Sequence, residues 1–146
     1  MSTAKDLTKE APASPRQRVG GYVILARMAD KGRADIAGTI GEFHFDCPLD
    51  NQLFGFKGVQ GKDVRVLLEK GASNEDIARW LDSNGTPKSE QDKKIWSDAA
   101  EAYHPFEDPE KKDWFVEMCG PLGLDPEKST LFDMLEADDK ASYAAA

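Results

Sequence analysis

Four dipeptides in which a small polar residue precedes proline constrain the folding of this chain most strongly. They are Ser14-Pro15, Thr86-Pro87, Asp108-Pro109 and Asp125-Pro126. A Ser, Thr or Asp side chain can accept hydrogen bonds from the unpaired N–H groups of a first helical turn, and proline at the first helical position has no N–H to lose. The four dipeptides therefore predict four helix starts.

Apolar residues recur at helical spacing through most of the chain. Two stripes separated by a stop at Gly71 and a cap at Ser73 predict an αα-hairpin, and they comprise Val64, Leu67 and Leu68, then Ile77, Trp80 and Leu81. Three further stripes comprise Ile95, Trp96, Ala99, Ala100 and Tyr103, then Trp114, Phe115 and Met118, then Leu131, Met134 and Leu135. The sequence predicts an all-α fold, a single compact domain of about seven helices, with a short extended segment near residues 38–46.

The length of 146 residues fits one domain that buries its own core without disulfides or a metal. Residues 1–13 are polar and lack periodicity, which predicts a flexible N-terminal arm. The helical domain is expected to cover residues 14–138, and residues 139–146 are expected to form a frayed tail. The two cysteines, Cys47 and Cys119, are expected to be free thiols in a reducing compartment.

The charge distribution argues against several classes of partner. The net charge is −8, and residues 74–146 carry eighteen acidic against eight basic side chains. Such a surface repels phosphate groups, so neither nucleic acid nor an anionic membrane is an expected partner, even though residues 71–103 superficially resemble a helix-turn-helix. No apolar run approaches the roughly 20 residues that cross a bilayer, and the first residues lack a secretion signal. These features predict a cytoplasmic protein.

The stretch from Ser14 to Gly38 is predicted to be one long central helix. Its apolar residues cover most of the circumference and leave a narrow strip that includes Arg27, Asp30 and Lys31. The strip is either a thin solvated face with ion pairs across one turn, or the lining of a polar pocket. Gly20 and Gly21 indicate that another element approaches this face closely.

The stretch GEFHFDCPLD, residues 41–50, carries the densest group of reactive side chains. If residues 41–46 are extended, the two phenylalanines point to one side, and the opposite side presents Glu42, His44 and Asp46. Cys47 and Pro48 then begin a short helix, which places the thiol at the positive end of a helix dipole, where the thiolate is favoured.

Four interpretations of this stretch remain open. Cys47 and His44 can form a nucleophilic site in which Asp46 or Glu42 orients the imidazole. A metal site would combine His44 and one of these acids with His104, although the spacing of strong metal motifs is absent. A third interpretation is ligand binding without chemistry, and the fourth is a purely structural turn with a small buried cap.

The acidic second half of the chain suggests a different class of function. It carries tryptophans at positions 80, 96 and 114, which are able to dock a basic protein surface. Tryptophan at helical spacing is more often part of a core. A protein partner is therefore the alternative to a small ligand.

The motif DLTKE near the start, SPRQRVGGYVILARMADKGRADIAGTIGEFHFDCPLD across residues 14–50, and the short Trp-bearing helices after it resemble a protein family. The family consists of small bacterial single-domain proteins known only as a domain of unknown function, and the resemblance extends over nearly the whole chain. It implies a bacterial, cytosolic, single-domain protein, and it brings no activity, cofactor or catalytic residue.

Together these observations predict a small anionic metabolite in a polar cleft between the first helix and the loop 41–48. Arg27 and Lys31 would hold its negative charge, while the acidic groups Asp30, Glu42 and Asp46 would contact the ligand. His44 and Cys47 are the candidate catalytic residues, and no metal or cofactor is predicted. The alternative is a non-catalytic protein interaction module that uses the acidic C-terminal half.

Overall fold

A computed structural model describes residues 3–143 of the chain, and within this range the protein is a single compact all-α domain. Its seven helices are α1 (Leu25–Ala37), α2 (Pro48–Lys57), α3 (Gly61–Glu69), α4 (Asn74–Ser83), α5 (Glu90–Ala102), α6 (Lys112–Leu122) and α7 (Leu131–Tyr143). A short 3₁₀ turn at Pro105–Glu107 lies between α5 and α6. The predicted fold class and number of helices are confirmed.

Helix α1 runs through the centre of the fold, as its apolar circumference predicts. Nine of its thirteen residues are buried, and it contacts α2, α3 and α4. The main hydrophobic core surrounds α1. Its residues include Tyr22, Met28, Phe54, Leu68, Leu81 and Phe132. A smaller apolar cluster of Phe115, Cys119 and Met134 joins α6 to α7. The core therefore fixes α1 firmly enough for its charged side chains to take defined positions.

The first helix is shorter than predicted, because it begins at Leu25 and not after Ser14. Gly20 and Gly21 have positive φ angles of 59° and 87°, and they form a tight turn that is closed by hydrogen bonds between Val19 and Tyr22. Glycine adopts such angles without strain, so a Gly-Gly pair favours a turn over a helix interior. The close approach predicted at this pair is real: a Cβ atom on Gly20 would lie 2.7 Å from the Cβ atom of Ala78.

The four dipeptides do not begin helices directly, which corrects the prediction from their sequence. Asp108 and Asp125 each accept a hydrogen bond from the backbone N–H two residues later, at Glu110 and Glu127. Such local bonds stabilise turns, and the helices begin several residues downstream. Each dipeptide is thus part of the connection that leads into a helix.

Serine side chains cap two of the helices, α4 and α5. Ser73 and Ser89 form reciprocal capping boxes with the aspartates three residues later, Asp76 and Asp92. The αα-hairpin of α3 and α4, with Gly71 in its turn and Ser73 as its cap, is therefore confirmed. Three residues of the predicted apolar stripes nevertheless face solvent, namely Ile95, Ala99 and Trp114.

The segments predicted as a flexible arm and a frayed tail make specific contacts. Leu7 is buried, its backbone N–H donates to Thr39 O at 2.8 Å, and its carbonyl oxygen accepts from the Tyr143 hydroxyl at 2.6 Å. Helix α7 continues through the predicted tail as far as Tyr143. Residues 1, 2 and 144–146 lie outside the described range, so the mobility of both termini stays a prediction. None of the described helices has both the length and the apolarity needed to cross a membrane.

Candidate functional site

Two of the three buried cations on helix α1, Arg27 and Lys31, have side-chain exposures of only 5% and 4%. They lie four residues apart and so occupy successive turns of the same helical face. A buried charge persists only when another group compensates it. Each of the two cations has a carboxylate partner from a different helix, and these two partners give them different roles.

The Arg27 guanidinium is engaged by α7. Its Nη1 atom donates to Asp139 Oδ2 at 2.6 Å, and its Nη2 atom donates to Asp139 Oδ1 at 3.2 Å. The guanidinium also lies 5.5 Å from the centre of the Phe43 ring, within reach of a cation–π contact. The main role of Arg27 is therefore structural: it connects α1 to α7 and to the loop before α2.

The Lys31 ammonium lies between an aspartate and a cysteine. Its Nζ atom is 3.0 Å from Asp50 Oδ1, and it donates to Cys47 Sγ at 3.1 Å. Asp50 is completely buried, and its Oδ1 atom accepts no well-directed hydrogen bond among residues 3–143. An ammonium has three N–H donors, and Lys31 has at most two acceptors among the described residues, Cys47 Sγ and Asp50 Oδ1, so at least one of its donors is unused there.

The first turn of α2 holds Cys47 and Asp50 in these positions. Cys47 is the N-cap residue and Pro48 occupies the first helical position, as the sequence predicts. The Cys47 sulfur makes no capping hydrogen bond, which leaves it available to Lys31. Asp50 instead stabilises the turn, because its Oδ2 atom accepts from the backbone N–H of Asp46 at 3.0 Å.

Asp50 is the residue of this site that sequence reasoning missed. It stands three positions after the N-cap residue, where an acidic side chain commonly accepts from the backbone N–H groups at the start of a helix. That spacing is visible in the sequence and indicates a carboxylate close to Cys47. Burial raises the pKa of Asp50 above its ordinary value, although the Lys31 ammonium acts in the opposite direction.

Residues 38–46 form a loop and not a strand, which corrects the predicted extended segment. Turns occur at 41–42 and 45–46, and Asp46 has a positive φ of 63°. The predicted alternation of side chains nevertheless holds, since Phe43 and Phe45 are half-buried whereas Glu42, His44 and Asp46 are exposed. Phe45 packs against the main core and thereby anchors the loop.

A cleft of about 1350 Å³ opens between α1, this loop and the C-terminal helices. Five of the seven predicted site residues line it, namely Arg27, Lys31, Glu42, His44 and Cys47. The rest of its lining is rich in aromatic and aliphatic side chains, among them Phe43, Tyr103, Trp114, Leu131, Leu135 and Tyr143. The lining of the cleft thus contains both charged side chains and an apolar surface.

The other two predicted residues, Asp30 and Asp46, do not line this cleft. Asp30 accepts from the backbone N–H of Ala13 at 2.8 Å and pairs with Lys5 at 3.0 Å, so it holds the N-terminal segment. Asp46 accepts from Asn51 Nδ2 at 2.9 Å and belongs to the turn before α2. Both carboxylates have structural partners.

The structure does not bring together the ligands of the metal interpretation. Among residues 3–143 no three His, Cys, Asp or Glu side chains are grouped closely enough to hold a metal ion. The Nδ1 atom of His104 lies 3.2 Å from the carbonyl oxygen of Ser129, at the start of the segment that leads into α7. His104 therefore has a local structural contact.

The chain belongs to the DUF5069 family, whose description is a domain of unknown function, and the family model matches residues 9–141. The predicted membership of a family of unknown function is confirmed. A comparison with curated proteins found no match.

Proposed function

We propose that this member of the DUF5069 family binds a small molecule that combines an anionic group with an apolar body, and that it does so in the cleft between α1 and the loop 41–48. The observation that best supports the proposal is the Lys31 ammonium, which is buried, lines the cleft and keeps one N–H donor without an acceptor among the described residues. A carboxylate or phosphate oxygen satisfies such a donor with a charge-assisted hydrogen bond.

The shape and chemistry of the cleft support a ligand of this class. Its volume of about 1350 Å³ accommodates a small organic molecule, since ligand pockets usually measure a few hundred to about a thousand Å³. Aromatic side chains such as Trp114 and Tyr103 offer flat apolar surface to the body of the ligand. The exposed imidazole of His44 offers a further polar contact near the loop.

The charged side chains that line the cleft further restrict the class of ligand that it is expected to bind. Three cationic side chains are accompanied by three carboxylates in its lining, and the six are Arg27, Lys31, Lys111, Glu42, Glu110 and Asp138. This balance disfavours a ligand that carries several negative charges and favours one with a single anionic group. Asp30 and Asp46 are left out of the proposed site because both lie outside the lining of the cleft.

A thermal-shift experiment with matched probes tests the proposal. Benzoate and phenyl phosphate carry an aromatic body and an anionic group, acetate and inorganic phosphate lack the body, and benzyl alcohol lacks the charge. We expect the aromatic anions to raise the Tm more than the other three probes, because a ligand that binds only the folded state stabilises it. Divalent metal ions belong in the same screen as a separate arm.

Two variants of exposed apolar residues locate the binding. Trp114→Ala removes an aromatic ring from the cleft, whereas Ile95→Ala removes a comparably exposed side chain from α5, outside the cleft. The shift is expected to shrink in Trp114→Ala and to persist in Ile95→Ala. Equal shifts in both variants, or no shift with any probe, would contradict a ligand site in the cleft and favour a protein partner.

A further inference from the structure

The contact between Lys31 and Cys47 has a chemical consequence that does not depend on ligand binding. A thiol becomes a good nucleophile when a neighbouring positive charge stabilises its thiolate. Lys31 supplies that charge at 3.1 Å from the sulfur, and Cys47 additionally occupies the N-cap of α2, at the positive end of the helix dipole. Both place positive charge beside the sulfur.

The ammonium is held at the sulfur by the rest of the fold. Lys31 lies on the central helix, and its charge is fixed by the buried carboxylate of Asp50. Asp50 in turn is anchored by the backbone N–H of Asp46. A lysine that is 4% exposed cannot turn away into solvent, so the contact with Cys47 is a property of the folded state.

The sulfur is also accessible. Cys47 is half-exposed and lines the cleft, next to the ammonium that retains an unused N–H donor among the described residues. That donor is available to an oxygen atom of a molecule that approaches the sulfur. The second cysteine has the opposite environment, because Cys119 is completely buried in the apolar cluster of α6 and α7, and burial raises the pKa of its thiol.

We propose that Cys47 is a site of reversible oxidation by hydroperoxides, with Lys31 as the group that activates it and Asp50 as the positioning residue for Lys31. The Cys47 thiolate attacks one oxygen of the hydroperoxide, an S–O bond forms and the O–O bond breaks. The leaving hydroxide or alkoxide takes a proton and departs as water or alcohol. The sulfur loses two electrons and becomes a sulfenic acid, and the peroxide gains the same two electrons.

Lys31 acts at two points of this step. Its positive charge lies beside the negative charge of the attacking sulfur, and its free N–H donor can orient the peroxide and supply the proton to the leaving oxygen, with the proton regained from solvent. The hydrogen bond to the Cys47 sulfur comes from Lys31, so the lysine takes the activating role that the sequence suggested for His44.

The experiment follows oxidation of the full-length protein by hydrogen peroxide. Cys119→Ala leaves Cys47 as the sole thiol, and Cys47→Ser leaves Cys119. We expect a dimedone adduct and a reductant-reversible gain of one oxygen at Cys47 in wild type and in Cys119→Ala, and no reaction in Cys47→Ser. The thiol in Cys119→Ala is expected to react at least about tenfold faster than free glutathione at neutral pH, because the Lys31 ammonium lies 3.1 Å from its sulfur and can donate to the incoming peroxide.

A neutral double variant tests the role of Lys31. In the Cys119→Ala background, Lys31→Met together with Asp50→Asn removes the ion pair without leaving a buried charge, and the oxygen of the new amide would still accept from the backbone N–H of Asp46. We expect the rate to fall to about that of glutathione, because no ammonium group then lies beside the sulfur. Lys31→Arg, which keeps the positive charge, is expected to retain most of the rate.

The results are decisive in either direction. If Cys47 reacts no faster than glutathione, or if the neutral double variant reacts as fast as its parent, the proposal is wrong. If the double variant does not fold, the comparison between Cys119→Ala and glutathione still decides whether Cys47 is activated. Thermal shifts by aromatic anions test the ligand site separately, since they require no oxidation.

Discussion

Arg27 on α1 and Asp139 on α7 form a two-point ion pair, with N···O distances of 2.6 and 3.2 Å, in which both residues are buried. The pair connects the centre of the fold to its last helix across more than a hundred residues of sequence. The sequence places Arg27 in a ligand site and Asp139 in a frayed tail. The pair instead gives both residues a structural role that is compatible with a cleft beside them.

Removal of either partner of this pair is expected to be costly. Arg27→Met leaves the Asp139 carboxylate buried without its counter-ion, and Asp139→Leu leaves the guanidinium in the same condition. We expect each change to lower the free energy of unfolding by about 3 kcal/mol or more, because an uncompensated buried charge is strongly destabilising. Urea-induced unfolding followed by circular dichroism measures the loss.

The double variant Arg27→Met/Asp139→Leu provides the control. It removes both charges and replaces them with apolar side chains, so it is expected to recover most of the stability lost in the single variants. Losses that simply add in the double variant would show that the two side chains do not depend on each other.

The pair of Lys31 and Asp50 predicts a specific dependence of stability on pH. Burial raises the folded-state pKa of Asp50 above its ordinary value of 3.8. A raised pKa means that the folded state binds the proton more tightly, so the stabilisation from this group is complete below about pH 4 and is lost as pH rises through the raised value. Stability of the wild type relative to Lys31→Met/Asp50→Asn should therefore fall from about pH 4 towards neutrality.

Urea unfolding of both proteins at a series of pH values measures this difference. The comparison cancels the carboxylates that both proteins share, including those whose pKa values are lowered, such as Asp76 and Asp92. A stability difference that stays constant or increases with pH would be inconsistent with a raised pKa at Asp50.

Local patterns in the sequence predict much of this fold. The helical spacing of apolar residues, the stop at Gly71 and the cap at Ser73 place α3 and α4 correctly, and Cys47-Pro48 marks the start of α2. Each of these signals involves residues that lie within one or two helical turns of each other in the sequence. Short-range spacing is sufficient to read them.

The errors arise where long-range contacts decide the structure. Gly20 and Gly21 lie within a helical apolar pattern, but they form a turn, and the turn places Gly20 against Ala78 of α4, more than fifty residues away in the sequence. Partners such as Asp139 for Arg27 are separated by more than a hundred residues, so no local pattern reveals them. In the proposed site, the sequence indicated Lys31 as a ligand-binding candidate and Cys47 as a catalytic candidate. It did not predict that the two side chains contact each other.

Two helical glycines with different surroundings give opposite expectations on replacement by alanine. Gly55 in α2 has open space where a Cβ atom would stand, whereas at Gly32 in α1 a Cβ atom would overlap with Leu68 Cδ1. Alanine is favoured over glycine inside a helix by about 1 kcal/mol. We expect Gly55→Ala to raise the free energy of unfolding by roughly that amount and Gly32→Ala to lower it, because the buried Leu68 must shift.

Thermal and urea unfolding of the two single variants separate these effects, and each variant serves as the other's control. Both changes add one methyl group to a helix interior, so they share the same gain in helix propensity. An equal gain in stability at both positions would mean that α1 and α3 are packed less closely at Gly32 than the structure indicates.

The Tyr22 hydroxyl makes a partly buried hydrogen bond next to the main core. It donates to Asp82 Oδ1 at 2.6 Å, and Lys93 Nζ donates to the same oxygen at 3.0 Å. Burial tends to raise the pKa of Asp82, but the hydrogen bonds from Tyr22 and Lys93 outweigh it and hold the pKa below its ordinary value. We expect Tyr22→Phe to lower the free energy of unfolding by about 1 kcal/mol at neutral pH, a modest loss because Asp82 is partly exposed.

The effect of Tyr22→Phe should depend on pH with a defined sign. A carboxylate whose folded-state pKa is lowered contributes stability above its ordinary value of 3.8, and this contribution is lost as pH falls through the lowered value. The difference between wild type and Tyr22→Phe is therefore expected to be largest at neutral pH and to shrink below about pH 4. Tyr103 also donates to an aspartate, Asp108, but its ring is only half-buried whereas that of Tyr22 is fully buried. Tyr103→Phe is therefore the matched control and should cost less at neutral pH. A loss in Tyr22→Phe that is the same in acid as at neutral pH would show that the hydroxyl contributes through packing and not through the charge of Asp82.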